Sequence, residues 1–275
     1  MNSTKNKYLA GPYLIWMTGF IIIPLLMIFY YGLTSRDGAF TFENIASIGT
    51  PEHLKALVLS LVLAGISTAV CLLIAYPLAL ILRNRHIGRG SFVVFIFILP
   101  MWMNFLLRTL AWQTLLEKNG VINALLSALH LPALSIINTP AAIVLGMVYN
   151  FLPFMVLPIF SVIEKMDHRL IEAAQDLGAN SAEVFRRVIF PLSLPGVLSG
   201  VTMVFIPSVS TFVISRLLGG GKSLLLGDLI EMQFLGSAYN PHLGSAISLV
   251  MMVIVLVSMG IMNRFGEGEG EAVVL

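Results

Sequence analysis

The fold is decided by one polar connection, Asp167-His168-Arg169-Leu170-Ile171-Glu172-Ala173-Ala174-Gln175-Asp176-Leu177-Gly178-Ala179-Asn180-Ser181-Ala182-Glu183. Its apolar residues recur at i, i+3, i+4 and i+7, which predicts one stripe of a short amphipathic helix: Leu170, Ala173, Ala174 and Leu177. Asp167 can cap the start of that helix, and Gly178 suits the left-handed conformation that ends one. Asn180, with Glu183 three residues later, can open a second helix as a capping pair. The connection therefore predicts a helix-turn-helix.

Long apolar runs lie on both sides of this connection. Of the 275 residues, 57% are hydrophobic and 11% are charged, whereas soluble domains carry about 25% charge. Six stretches without Asp, Glu, Lys or Arg reach the roughly 18 to 20 residues that cross a bilayer as a helix: 8–35, 56–82, 90–107, 119–163, 188–215 and 232–263. The composition excludes a soluble globular protein and indicates an integral membrane protein.

We predict an all-α integral membrane fold with six transmembrane helices, approximately 9–33, 55–82, 91–112, 139–161, 192–215 and 242–262. They form a single transmembrane domain over 1–265, with 162–191 as the connection between the fourth and fifth spans. The run 119–163 is too long for one crossing, so we expect a short surface helix from Val121 to Leu129. Alternating Gly and Glu near the end predict a disordered tail over 266–275.

Positive charges predict the orientation of these spans, because Lys and Arg are retained on the cytoplasmic side. With the N-terminus inside, the inner segments hold ten Lys and Arg residues and the outer segments hold five. The first apolar run is too long for the core of a signal peptide and has no cleavage site, so we interpret it as an uncleaved span. Both termini are then cytoplasmic, and so is the connection 162–191. A short amphipathic helix there fits either lipid headgroups or a groove on another protein, and its mixed charges favour the groove.

A known motif matches this connection. Glu172-Ala173-Ala174, Gly178 and Val188-Ile189-Phe190-Pro191 resemble the EAA motif of ABC-importer permease subunits, E-A-A-x3-G-x9-I-x-L-P, with Val188 and Phe190 in place of the usual Ile and Leu. The resemblance implies a type I importer permease with a MetI-like fold. It further implies that a coupling helix docks in a cleft of a cytoplasmic ATPase dimer through Glu172, Ala173, Ala174, Gly178 and Pro191.

A broader resemblance extends over nearly the whole chain to the permeases of spermidine/putrescine importers. It is carried by the stretches 99–108, 152–155, 219–228 and 233–235. The resemblance implies a polyamine importer of the bacterial cytoplasmic membrane, in which this chain lines half of the pathway beside a second permease subunit. It also implies an extracytoplasmic polyamine-binding protein as a partner. Importers for ferric iron, phosphonate and other small solutes share parts of these stretches and remain alternatives.

Polar and aromatic residues in or near the spans are candidates for the translocation pathway. An arginine at the centre of a bilayer helix is costly, so Arg108 is expected to face a partner, a water-filled cavity or the outer interface. Asn104 lies one helical turn before it, on the same face. Trp102, Tyr149 and Asn150 complete the candidate set. The alternatives are interfacial snorkelling for Arg108 and an aromatic belt for the rings.

Acidic residues are absent from all six predicted spans. Ammonium groups are best recognised by carboxylates and aromatic rings, so we expect the tight polyamine site to lie on the external binding protein. The outer-loop acids are candidate contacts with that protein: Asp37, Glu117, Asp228 and Glu231. Solvated loop charges are the alternative for each of them.

Other classes of function find little support in the sequence. One cysteine and five scattered histidines predict no metal site, and a net charge of +2 does not suggest a nucleic-acid partner. The stretch Gly219 to Ser223 ends like a phosphate loop, but Arg216 occupies the position of the first glycine of that motif. The energy must then come from a separate ATPase chain, and no cofactor is expected. A multi-span membrane enzyme is the rival class, but the predicted spans lack its acidic, Ser/His or metal-binding groups.

Overall fold

The computed structural model describes residues 11–84, 99–236 and 238–267. The predicted all-α architecture is confirmed, since the described ranges consist of helices and turns with one isolated antiparallel bridge, between Thr34 and Phe40. The helices are α1 Gly11–Gly32, α2 Pro51–Asn84, α3 Phe105–Leu116, α4 Val121–Ala128, α5 Pro140–Lys165, α6 His168–Asp176, α7 Ser181–Ser210, α8 Val213–Leu218, α9 Leu226–Phe234 and α10 Pro241–Glu267. Shorter turns are the α-helical Glu43–Ala46 and the 3-10 turns Ser47–Gly49 and Leu99–Trp102.

Five of the described helices, α1, α2, α5, α7 and α10, are long and apolar enough to cross a membrane. They overlap the first, second, fourth, fifth and sixth predicted spans. The third, 91–112, begins outside the described residues. The sequence predicts one unbroken helix here, but the described part is broken. The 3-10 turn Leu99–Trp102 ends before Asn104, which opens α3 with φ −55° and ψ 128°. A crossing by this third segment remains a prediction.

Several helix boundaries differ from the predicted ones. The fifth span ends at Ser210 and not at 215, because Thr211 is extended with φ −68° and ψ 142°. The same helix begins at Ser181, inside the predicted connection, and contains a π-helical turn, Phe185–Ile189. The last helix continues to Glu267, so the first two residues of the predicted tail are helical. Residues 1–10 and 268–275 lie outside the described ranges. The short helix predicted from Val121 to Leu129 is confirmed as Val121–Ala128, with Leu129 as its C-terminal cap.

The contacts divide the chain into two compact units. The smaller unit lies within Met1–Lys55 and Leu229–Ile254, and the larger within Ala56–Asp228 and Val255–Leu275. In the smaller unit, His242 Nδ1 lies 3.0 Å from the carbonyl oxygen of Tyr31 and 2.7 Å from that of Thr34. Both partners accept, so Nδ1 carries the proton, and this ring ties the start of α10 to the end of α1.

The core of the larger unit is built on α5, whose fully buried side chains include Ile143, Met147, Met155, Ile159 and Ile163. Helix α7 packs closely on this helix through two glycines. A Cβ atom at Gly196 would lie 2.9 Å from the carbonyl oxygen of Pro158, and one at Gly200 would lie 2.8 Å from Met155 Sδ. The G-x-x-x-G spacing therefore brings α5 and α7 together, as such spacings do between membrane helices.

Helix α2 contributes small buried residues to the same core, namely Ala64, Cys71, Ala75 and Ala79. Its polar side chains also bond to other elements of the larger unit. Ser60 Oγ accepts a 2.8 Å hydrogen bond from the backbone N–H of Leu226, and Ser67 Oγ donates to Met147 Sδ at 3.2 Å. Small residues and buried hydroxyls thus hold α2 against its neighbours where longer side chains would keep it apart.

Candidate docking segment and candidate pathway residues

Helix α6 forms because both of its ends are locally specified. Asp167 Oδ1 accepts a 3.0 Å hydrogen bond from the backbone N–H of Arg169 and caps the start. Gly178 follows the end with φ +86°, a left-handed conformation that glycine adopts without the penalty that a Cβ atom brings. The backbone N–H of Gly178 donates to the carbonyl of Gln175 at 2.8 Å. The predicted cap and the predicted glycine stop are both present.

The second helix of the pair opens with a reciprocal capping box. Asn180 Oδ1 accepts from the backbone N–H of Glu183, and Glu183 Oε2 accepts from the backbone N–H of Asn180, both at 3.0 Å. The helix then passes through the π-helical turn Phe185–Ile189 and reaches Pro191. Proline has no N–H for the helical ladder, and π turns are frequent at functional sites. The predicted helix-turn-helix is therefore the observed one.

The apolar stripe of α6 is open to its surroundings. Leu170 is 48% exposed and Leu177 is 89% exposed, and α6 contains no buried residue. Ala173 is exposed as well, whereas Ala174 is half-buried. An amphipathic helix ordinarily buries its apolar face. The described residues of the chain leave most of this face uncovered.

Glu172 lies on the side of α6 away from the stripe. Its Oε1 is 3.2 Å from His168 Nδ1, one helical turn earlier, and both side chains are more than half exposed. An exposed pair of this kind contributes little to stability. The carboxylate is therefore held at the surface and stays accessible to another molecule.

A cavity of about 350 Å³ lies in the angle between α6 and the start of α7. Its lining combines apolar residues with one acidic and one basic side chain, and the residues are Ala174, Leu177, Gly178, Ala179, Glu183, Val184, Arg187 and Val188. The two EAA positions Ala174 and Gly178 thus open into a concave surface. A partner that filled this cavity would contact the apolar stripe and both charges together.

Arg108 and Tyr149 are the two pathway candidates that the structure brings together. Arg108 is 7% exposed; its Nη1 donates to the carbonyl of Pro100 at 2.8 Å, and its guanidinium carbon lies 5.9 Å from the centre of the Tyr149 ring. The Trp112 ring stands edge-on to that ring at 5.1 Å. Arg108 Nε has no hydrogen-bond partner among the described residues. This cationic group braces α3 against α5.

The other three pathway candidates differ in their exposure and in their contacts. Asn104 lies one turn before Arg108, since its carbonyl accepts from the backbone N–H of Arg108 at 3.1 Å. Its side chain caps α3, where Oδ1 accepts from the backbone N–H groups of Leu106 and Leu107 at 2.9 and 3.3 Å. Trp102 is 77% exposed. Asn150 is 1% exposed, and its Nδ2 donates at 2.8 Å to the carbonyl one turn earlier in α5.

The acidic candidates fall into two groups. Asp37 and Glu117 are exposed, as expected of loop acids. The loop position expected for Asp228 and Glu231 is wrong, because both belong to α9. Asp228 is 5% exposed and its Oδ2 accepts from the backbone N–H of Leu225 at 2.8 Å, so it stabilises the start of that helix. Across 11–84, 99–236 and 238–267, no group of three or more His, Cys, Asp or Glu residues could hold a metal ion.

Sequence reasoning missed two hydrogen bonds of α2, one to Ser193 just after the connection and one to Met166 within it. Tyr76 Oη lies 2.7 Å from Ser193 Oγ, and Arg83 Nη2 donates to the carbonyl of Met166 at 3.2 Å. The only signal for the first pair was a polar side chain in each of two apolar spans. Such residues seek a hydrogen-bond partner inside a membrane protein.

Comparison with known proteins places this architecture in a family. Residues 73–267 match the family model described as "Binding-protein-dependent transport system inner membrane component". The chain is 37% identical over 262 residues to the spermidine/putrescine transport system permease protein PotB of Haemophilus influenzae, covering 92% of this chain and 91% of that one. It is 36% identical over 255 residues to PotB of Escherichia coli K12, covering 90% of this chain and 91% of that one.

The fold is similar to that of a solved ABC transporter structure. A chain of the crystal structure of a bacterial alginate ABC transporter, in complex with alginate pentasaccharide-bound periplasmic protein, superposes with a TM-score of 0.79. The match covers 94% of this chain and 92% of that chain at 18% identity. The protein described here therefore belongs to the family of binding-protein-dependent transport system inner membrane components, and is a multi-pass permease subunit of an ABC transporter and not an enzyme.

Proposed function

We propose that this chain is the permease subunit of an ATP-driven importer for polyamines, and that it provides half of the translocation pathway. The solute is inferred from the names of relatives that share more than a third of its residues over nine tenths of the chain. The other half comes from a second permease subunit. An extracytoplasmic polyamine-binding protein delivers the solute, which fits the lack of Asp and Glu in the predicted spans.

The ATPase dimer docks on the helix-turn-helix formed by α6 and the start of α7. The observation that carries this assignment is the 89% exposure of Leu177 on a helix that is capped at its start and stopped by a glycine. Leu170 and Ala173 extend the same apolar stripe, and Glu172 adds an accessible carboxylate on another face of α6. The rest of the motif shapes this surface, because Gly178 provides the turn and Pro191 follows the π-helical turn.

This assignment implies an orientation of the chain in the bacterial cytoplasmic membrane. A docking segment for an ATPase must face the cytoplasm, and the excess of Lys and Arg in the inner segments agrees with that orientation. Both termini are then cytoplasmic. Asp37 and Glu117, which are exposed, remain candidate contacts with the binding protein on the other side.

The pathway is proposed to run past the exposed rings of Trp102 and Tyr149. Aromatic faces suit a ligand of ammonium groups joined by methylene chains. Arg108 contacts the Tyr149 ring and holds it in position. Because Arg108 is itself buried, it is largely shielded from the route. Weak contacts of this kind suit passage, whereas a buried carboxylate would retain a polycation.

The function is tested by purifying the complex from its native membrane and measuring ATP hydrolysis with the co-purified binding protein. We expect an ATPase and a second permease to co-purify, and spermidine or putrescine to raise hydrolysis while ferric iron and phosphonate do not. If iron or phosphonate stimulates the complex instead, the importer assignment stands and the polyamine assignment is wrong. If no ATPase co-purifies after mild solubilisation, the docking assignment is wrong.

A further inference from the structure

A buried hydrogen bond joins α2 to Ser193 of α7, two residues after the last EAA position, Pro191. Tyr76 is 9% exposed and Ser193 is fully buried, and their hydroxyl oxygens lie 2.7 Å apart. Ser193 Oγ donates its own proton to the carbonyl of Phe190 at 2.8 Å. Tyr76 is therefore the donor to Ser193, and each hydroxyl proton has a defined partner.

Aromatic packing surrounds this bond on the side of the π-helical turn. The Tyr76 ring stands edge-on to Phe185 at 5.6 Å and lies 6.1 Å from Phe190, and the two phenylalanine rings are 6.2 Å apart. Phe185 is the first residue of the π-helical turn Phe185–Ile189, and Phe190 follows its last residue. A displacement of this turn would therefore change its contacts with the Tyr76 ring.

The start of the connection is attached to the same helix. Arg83, two turns after Tyr76 in α2, donates from Nη2 to the carbonyl of Met166 at 3.2 Å and from Nη1 to Met166 Sδ at 3.6 Å. Met166 directly precedes Asp167, the cap of α6. Helix α2 thus contacts the chain at both ends of the stretch that contains α6.

Helix α5, the other neighbour of α7, is held by close packing and, in the described part of the chain, not by side-chain hydrogen bonds such as those from α2. Gly196 and Gly200, one helical turn apart, bring α7 into close contact with α5 by shape. Such close contacts would make α5 and α7 move together. The polar links from Tyr76 and Arg83 are directional, and they are what would make α2 follow a displacement of the connection.

We propose that Tyr76 is a positioning residue for transport: its hydrogen bond to Ser193 transmits movement of the docking segment to α2. This inference rests on the proposed function, in which the ATPase moves α6 during its cycle. Without the bond, the ATPase still docks and hydrolyses ATP, but α2 no longer follows, and hydrolysis is uncoupled from uptake. The proposal separates docking, which belongs to α6, from coupling, which depends on Tyr76.

The test compares Tyr76→Phe, Ser193→Ala and the double variant in the complete complex reconstituted into liposomes with its binding protein. Spermidine uptake and ATP hydrolysis are measured in the same vesicles. We expect each single variant to lower uptake per ATP about fivefold, which corresponds to one net buried hydrogen bond, with hydrolysis unchanged. Because both variants remove the same bond, the double variant should be no worse than either single one.

Ser208→Ala is the matched control. Ser208 is also fully buried in α7, but its Oγ donates at 2.7 Å to the carbonyl of Val204 in the same helix. Uptake per ATP should stay at the wild-type value in that variant. Tyr76→Phe keeps the ring and its packing, so the amount of assembled complex, measured by ATPase co-purification, should not change.

The inference is overturned if uptake per ATP is unchanged, which includes the case in which uptake and hydrolysis fall by the same factor. It is also overturned if the effects of the two single variants add in the double variant. An equal loss in Ser208→Ala would overturn it too, since a general packing defect would then explain the data. Failure of the proposed function gives a different result: the wild-type complex itself would lack the ATPase or would take up no spermidine.

Discussion

The guanidinium of Arg108 lies over the ring of Tyr149, with its central carbon 5.9 Å from the ring centre. The same side chain reaches back to the carbonyl of Pro100 at 2.8 Å, across the break before Asn104. One cation thus connects the 3-10 turn Leu99–Trp102, α3 and α5. This arrangement explains how an arginine is accommodated in an apolar segment, because it has a carbonyl and an aromatic face as partners.

Replacing Arg108 should therefore destabilise the protein. We expect Arg108→Met to lower the free energy of unfolding by about 1.5 to 3 kcal/mol, the range for a hydrogen bond to a charged group. Thermal unfolding of the purified complex measures the change. Lys118→Met is the control, because Lys118 is exposed and should have little effect. A raised KM for spermidine with unchanged thermal stability would instead place Arg108 in the pathway and contradict the bracing role.

Gly178 should tolerate asparagine better than alanine. Nothing lies within 4 Å of a Cβ atom built on Gly178, so any penalty comes from its φ of +86°. The left-handed conformation costs a residue with a Cβ atom about 1 to 2 kcal/mol, and asparagine adopts it more readily. We expect Gly178→Ala to reduce ATPase co-purification roughly 5- to 30-fold, the factor that corresponds to this energy, and Gly178→Asn to reduce it less. Equal binding by the wild type and Gly178→Ala would show that the turn does not position the docking helix.

Leu177 should contribute to ATPase binding and not to the stability of the chain. At 89% exposure, its side chain gains little from folding of this subunit alone. We expect Leu177→Glu to abolish co-purification of the ATPase while the thermal unfolding of the permease is unchanged. Leu235→Glu, at a residue that is 81% exposed, is the matched control and should retain the ATPase. Loss of the ATPase in both variants would argue for a nonspecific effect of the added charge.

Substitution by alanine should lower the stability of the protein at Gly200 and raise it at Gly65. A Cβ atom at Gly200 would lie 2.8 Å from Met155 Sδ and 3.1 Å from its carbonyl oxygen, whereas one at Gly65 in α2 would meet nothing within 4 Å. Gly200→Ala should cost about 1 to 3 kcal/mol through overpacking. Gly65→Ala should gain about 0.5 to 1 kcal/mol, because alanine loses less entropy in a helix. Thermal unfolding of the two variants side by side tests the close packing of α5 on α7, and equal shifts would contradict it.

The parts of the structure that the sequence predicted correctly are those that depend on neighbouring residues. The cap at Asp167, the left-handed Gly178 and the capping pair at Asn180 follow from local backbone chemistry, which a few residues encode. The five candidate membrane helices could be predicted from long apolar runs, because such runs are also a property of neighbouring residues.

The features that the sequence did not predict depend on contacts between distant parts of the chain. Tyr76 and Ser193 are 117 positions apart, and no local pattern links them. The glycine-rich turn between α8 and Asp228 favoured a loop position for this residue. Asp228 is instead buried, and its carboxylate stabilises the start of α9. The helix break at Asn104 had a local signal in the preceding Pro100, but the continuous apolar run around it favoured an unbroken span.

The most direct test of the account is a photo-crosslinking amino acid placed at Leu177 in intact membranes, with Leu235 as the comparison site. The captured proteins are identified by mass. We predict that the ATPase of the importer is captured from Leu177 and not from Leu235. Capture of lipid alone at Leu177, or of the same ATPase from both sites, would contradict the claim that α6 is the docking helix of this permease.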